Sequence, residues 1–269
     1  VSLKWKSRPR RLFLFKSAVN SRSIQSMSEN SAPILPLRDG VAASTVTLPV
    51  GHWDTLLEFL CAKFKGIPRE TWLARMHAGL VTDANGKALG SETAFQANSI
   101  VHYYRALAHE THIPFEEQIL FQDDWLIAVD KPHFLPVMPA GKYLQETLLI
   151  RLKRKTGLHA LTPMHRLDRE TAGVMLFVIK PETRGAYQSL FLNKLVRKQY
   201  QAIAPYKAEL RLPTTYRSRL QVSEHFMRMQ EVAGTPNAET QIELIEHCDG
   251  LGRYALSPVT GKKHQLRVH

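Results

Sequence analysis

Residues 164–180 read MHRLDRETAGVMLFVIK, a charged stretch that runs without a break into an apolar one. His165, Arg166, Asp168, Arg169 and Glu170 fall within six positions. A solvated helix would repeat apolar residues every three or four positions along its buried side. After Met164, only Leu167 interrupts the polar run, and Pro163 and Gly173 bracket it as loop boundaries. The GVMLFVIK segment that follows reads as a buried strand. A charged loop feeding a central strand is a common way to hold functional groups on a rigid scaffold. From spacing alone, a structural Arg-Asp turn remains the alternative.

The neighbouring segments suit a sheet-forming chain. EQILFQDDWLIAVDKP predicts two strands around Asp123-Asp124, whose carboxylates fit turn chemistry better than paired catalysis. YLQETLLIRLKRKTG predicts an amphipathic helix with a basic outer face. PETRGAYQSLFLNKLV, opened by Pro181, predicts another helix, and RKQYQAIA predicts a strand. AETQIELIEH and GRYALSPVTGKKHQLRVH predict paired strands. Strands outnumber helices and neighbours are close in sequence, which implies an α+β fold on a largely antiparallel or mixed sheet.

Ahead of this lies a smaller candidate domain, residues 51–110. WDTLLEFLCAKF carries a helical stripe, and PRETWLARMHAG suits a second short helix between Pro68 and Gly79. A strand with an Asn-Gly turn and the strand-like SIVHYYRAL complete it. The order, with Arg69 and Arg75 on the second helix, loosely resembles the alpha-L RNA-binding motif; a packing domain without RNA contact is the alternative. Residues 27–50, with Pro33, Pro36 and Pro49, read as an extended arm.

Charge points the same way. The net charge of +12 includes seven acid-free basic residues within the first 26, which read as an upstream leader before Met27 or as an organelle transit peptide. The remaining chain is still basic, which suits a polyanionic partner. Cys61 and Cys248 are far apart and show no metal-ligand spacing, so the chain reads as a reducing, cytoplasmic protein. No stretch approaches the roughly 18 apolar residues of a membrane helix. Phosphate-loop, GxSxG and HExxH motifs are missing from the sequence.

Four stretches carry a family resemblance. HRLDRETAGVMLF resembles the signature loop of the RluA family of pseudouridine synthases. LIAVDKPHFLPV, RKQYQAIA and SPVTGKKHQLRVH resemble that family's Lys-Pro strand, its Lys-x-Tyr-x-Ala strand and its terminal His-Gln-Leu-Arg-x-His motif, in the family's order. The match spans residues 119–269. It implies the pseudouridine synthase fold, with a mixed, mainly antiparallel sheet and flanking helices over residues 111–269. It also implies isomerisation of uridine within ribosomal or transfer RNA by a monomer without metal or organic cofactor.

By motif position, the resemblance implies Asp168 as the carboxylate acting on the sugar, as nucleophile or as base. Arg267 is then its paired cation and Tyr200 the aromatic that stacks on the uracil. Arg166 fills the space of the flipped base, and His165, Lys198, His264, Gln265 and Lys131 join the substrate-binding set. Two positions depart from the pattern: Ala172 stands for the signature serine and Lys262 for an arginine, which keeps charge but loses a bidentate fork. Family members continue beyond the motif that ends here at His269, so the catalytic domain is expected to be incomplete at its C-terminus. The competing functions are an inactive RNA-binding protein that keeps the fold and, more weakly, a glycosidase, for which Asp168 and Glu170 would have to face each other across a substrate.

Overall fold

A computed structural model describes residues 35–105, 107, 109–224 and 228–269. The expected leader, residues 1–26, and the first part of the arm, residues 27–34, lie outside the described residues.

The first core is built where the sequence places two short helices. Helix α1, Leu56–Lys63, starts at Thr55, whose hydroxyl accepts from the Glu58 N–H at 3.2 Å, and Glu58 in turn accepts from the Asp54 N–H. Helix α2, Arg69–His77, follows Pro68. Both pack on a three-stranded antiparallel sheet in the order β1 (Ser44–Thr47), β3 (Ile100–Tyr103), β2 (Val81–Asp83). The end of the expected arm is therefore a strand: its Val46 is buried with Leu60, Trp72 and Val101. Trp72 meets Tyr103 edge-on at 5.2 Å. Arg75 is not on an outer face; it is buried, with its guanidinium over the Trp72 ring at 5.0 Å. Burial lowers its pKa, because removal from water disfavours the charged form.

A second core forms around a four-stranded sheet in the order β4 (Gln118–Gln122), β5 (Leu126–Lys131), β7 (Gly173–Val178), β6 (Thr162–Pro163). Asp123 makes the β4–β5 turn, its Oδ1 accepting from the N–H groups of Trp125 and Leu126 at 2.7 and 2.8 Å. The alternating strands bury Ile127, Val129, Met175 and Phe177 against Leu148 and Leu152 of helix α3, Leu148–Thr156. Truncating a fully buried aromatic such as Phe177 to alanine would cost about 3–5 kcal/mol.

Helix α3 starts later than its apolar pattern predicts. The Glu110 carboxylate accepts from the N–H groups of Leu144, Gln145 and Glu146, holding that segment as a loop. Nor is the helix basic all along its outer side. Arg151 turns inward and donates to Glu146, to the Phe115 carbonyl and to the Ile113 carbonyl.

The helix after Pro181 begins with a 3-10 turn, Pro181–Thr183, and continues as α4, Arg184–Leu192. A five-stranded antiparallel sheet follows, in the order β10 (Met229–Val232), β9 (Thr214–Val222), β11 (Ala238–Cys248), β12 (Leu251–Pro258), β8 (Tyr200–Pro205). Every strand pairing among the described residues is antiparallel. The last predicted strand stops early: after Pro258 the chain leaves the sheet, turns through Thr260–His264 and closes with one helical turn, α5, Gln265–Val268. Its apolar residues are too sparse to cover a strand face, and Gln265 instead stitches the segment down. That side chain donates to the Glu239 carbonyl and Thr240 Oγ1, each at 2.9 Å, and accepts from Thr260 Oγ1 and the Lys262 N–H.

No helix among the described residues is long and apolar enough to cross a membrane.

Candidate active site

The charged segment 164–172 is a loop, as its spacing predicts, and local bonds fix it at both ends. The Met164 N–H donates to the Leu176 carbonyl at 2.9 Å. The Leu176 N–H donates back to His165 Nε2 at 3.3 Å. Leu167, the loop's isolated apolar residue, packs against the second core. A turn follows in which the Thr171 N–H donates to the Asp168 carbonyl at 3.1 Å. The loop joins β7 at Gly173, whose φ of +130° is open to glycine and strained for other residues.

Two side chains reach this loop from the far end of the chain. Arg267 Nη1 stands 3.4 Å from Asp168 Oδ2, and Arg267 Nη2 stands 2.9 Å from Glu170 Oε2. His264, in a left-handed backbone conformation at φ +53°, places Nε2 4.0 Å from Asp168 Oδ1. Glu170 also holds Arg169 through its other oxygen at 3.0 Å. Partial burial pushes the Glu170 carboxyl up. Its own backbone N–H, Arg169 and Arg267 outweigh that and hold it below the usual carboxylate range.

Tyr200, the first residue of β8, lies close enough to Asp168 to feel its charge. Burial first, and then that charge, raise its phenol pKa, so it is neutral at pH 7. Lys198 lies over the turn that leads to Arg267: a Cβ built on Gly261 would stand 3.6 Å from its Nζ. Burial lowers the Lys198 pKa. Arg166 is exposed.

Three predicted substrate-binding residues have their side chains committed elsewhere. Lys131 is fully buried. Its Nζ donates to the carbonyls of Pro132 and Leu135 at 2.9 Å and of Arg169 at 3.2 Å. It thus ties the end of β5 to the loop rather than facing a substrate. Burial drives its pKa down to about 8, against the opposing pull of Glu170 and Asp168. Gln265 is likewise buried in the network that shapes the last turn. The His165 ring stacks on Phe191 at 5.3 Å. Burial, reinforced by Lys198, takes its pKa down to about 4, so it is a neutral acceptor for Leu176.

The candidate site therefore brings together Asp168, Arg267, His264 and Tyr200. Sequence reasoning missed Glu170 as the partner of Arg267. It also missed His133, whose Nδ1 lies 2.6 Å from the Glu170 carbonyl. The one local signal for Glu170 was its position two residues after Asp168. A cavity of about 280 Å³ lined by residues including Glu117, Arg151 and Lys155 contains none of the site residues.

The sequence profile of a family described as RNA pseudouridylate synthase matches residues 125–269, more than half of the chain. The chain belongs to that family. An uncharacterized RNA pseudouridine synthase of Synechocystis is 29% identical over 148 residues, covering 55% of this chain and 50% of the relative. The ribosomal large subunit pseudouridine synthase C of Pasteurella multocida is 28% identical over 227 residues, covering 78% of this chain and 68% of the relative. A transfer RNA pseudouridine synthase C of Vibrio cholerae is 29% identical over 175 residues, covering 56% and 68%. The chain thus spans about half the length of the Synechocystis relative. The solved human RNA pseudouridylate synthase domain containing 1 has a TM-score of 0.50 at 20% identity, covering 60% of this chain and 66% of that one, a likeness of fold.

Proposed function

We propose that the protein is an RNA pseudouridine synthase, an isomerase that converts uridines of ribosomal or transfer RNA to pseudouridine. The observation that carries the proposal is the meeting of Asp168 with Arg267, beside a neutral Tyr200, in a chain of this family. A uridine flipped out of the RNA stacks on Tyr200, because chemistry on a base requires it to leave the stack. Asp168, paired with Arg267, acts at the ribose as nucleophile or base. The N1–C1′ bond breaks, the uracil turns, C5 bonds to C1′, and the C5 proton leaves to solvent while N1 takes one up. Arg166 fills the space of the displaced base, and Lys198 and His264 face the RNA. No cofactor is needed for this balance.

We assign residues 51–110 to an RNA-binding or packing domain and residues 111–269 to the catalytic region. The monomer is what the family resemblance implies, and the cytoplasmic setting follows from the sparse, widely separated Cys61 and Cys248.

The test is tritium release from RNA labelled at uridine C5, with Asp168→Asn in parallel. The wild type is expected to release tritium and the variant to lose at least about 10³-fold in rate while still binding RNA. Equal rates for the two would remove Asp168 from the chemistry. Tight RNA binding without release by the wild type, on both RNA classes, would favour the inactive RNA-binding reading.

A further inference from the structure

Beside the site, Phe134 adopts a conformation that a bulky residue avoids. Its φ is +66°, in the left-handed region where a side chain crowds the backbone. The strain is not repaid by burial: the side chain is 50% exposed. Phe115 beside it is 46% exposed, and their ring centroids are 5.9 Å apart. The His133 ring also lies 5.9 Å from Phe134.

This turn is fastened to the loop that carries Asp168. Lys131 grips the carbonyls of Pro132 and Leu135, on either side of Phe134, together with that of Arg169. His133 Nδ1 contacts the Glu170 carbonyl. Arg151 holds the backbone of Phe115 through its carbonyl at 2.7 Å. The backbone on either side of Phe134 is thus tied directly to the loop of Asp168, and that of Phe115 is held by helix α3. Strained residues persist where the surrounding structure over-determines them, and they cluster at ligand sites.

We propose that Phe134 and Phe115 form a stacking platform for an unpaired nucleobase of the RNA, next to the uridine bound at Asp168. This rests on the RNA pseudouridine synthase reading. Planar bases stack on exposed aromatic rings irrespective of sequence, and the exposed Arg166 and Arg169 of the attached loop suit the adjoining phosphates. Pre-placement of the rings lowers the ordering cost of binding.

The experiment uses Phe134→Gly, since glycine accepts φ +66° without strain, with Phe134→Trp and Phe115→Ala alongside. Affinity is read by fluorescence anisotropy on a labelled single-stranded decamer of alternating uridine and adenosine, and on a decamer whose single uridine is flanked by abasic positions only. Phe134→Gly is expected to weaken binding to the intact decamer roughly 5-fold to 100-fold, with Phe134→Trp restoring it. The salt dependence should keep its slope, since no phosphate contact is lost. The abasic decamer should abolish the difference between wild type and glycine variant.

Affinities within twofold of wild type for both Phe134→Gly and Phe115→Ala would overturn the platform, as would an equal loss on the abasic decamer. Tritium release by the wild type tests the isomerase separately. Release with Phe134-independent binding leaves the isomerase and removes the platform. No release with Phe134-dependent binding does the reverse.

Discussion

Arg267 meets Asp168 at 3.4 Å across 99 positions of sequence, and the contact joins the two large sheets' loops at one point. The distance is at the outer limit of a hydrogen bond, so the pairing is mainly Coulombic. The shorter bond of Arg267, 2.9 Å, goes to Glu170. Glu170 therefore anchors the guanidinium while Asp168 receives its field and keeps lone pairs for the ribose of the proposed reaction.

Arg267→Ala should reduce turnover by on the order of 10²-fold. Arg267→Lys should recover little, because one ammonium cannot span two carboxylates. Stability should change by less than about 1 kcal/mol, since the pair is substantially exposed. Turnover in the tritium assay and thermal melts check both. The Glu170 carboxyl, now held below the usual range, should titrate higher in Arg267→Ala by carbon-13 NMR. In the wild type, its depressed pKa contributes stability above the ordinary carboxylate range and loses it as pH falls further.

His165 should stay neutral throughout the working range. An NMR titration should find its midpoint near the value of about 4 set by burial and Lys198. The unfolded ring takes its proton near about pH 6.5 and the folded ring only near 4, so its contribution to stability is lost as pH falls between them. The pH–rate profile should show no break from His165 above pH 5. A midpoint near 6.5 would refute its burial.

Lys131→Met should destabilise the protein by about 1–3 kcal/mol at pH 7, because buried carbonyls lose their donor. The wild-type lysine has a folded pKa of about 8 and an unfolded one near about 10.4. The unfolded state binds the extra proton between those values, so wild-type stability gains from Lys131 as pH rises through that window. Denaturant melts at pH 7.5 and 10 should show this gain in the wild type and its loss in Lys131→Met.

Gln265→Leu should loosen the last turn, costing about 1–3 kcal/mol for the unpaired Thr240 and Glu239 groups. Arg267, two residues on, then loses its placement, so turnover should fall further than RNA affinity. Comparison of kcat with the RNA Kd tests this. Equal losses in both would indicate that Gln265 only supports the fold.

Much of the site was legible because its signals are local. The bracketing Pro163 and Gly173, the isolated Leu167 and the apolar run after it specify a charged loop entering a strand, and the structure has that loop. Asp123 as a turn residue follows from the same local chemistry. Failures occurred where a distant group decided the outcome. Glu110 caps the residues expected to begin α3, and the Gln265 network pulls the terminal motif out of the last strand.

The sequence by itself determined the α+β class, the order of the motifs and the types of charged residue beside Asp168. Periodicity and turn preference act over a few residues, so one chain read alone displays them. Only the tertiary structure decided that Arg267 is shared with Glu170, that Lys131 is sealed inside with three carbonyls, and that Phe134 stands strained and exposed beside the loop. Those facts depend on how two sheets and their loops pack across about a hundred residues. Burial and Coulombic pairing act through space and leave no period in the sequence.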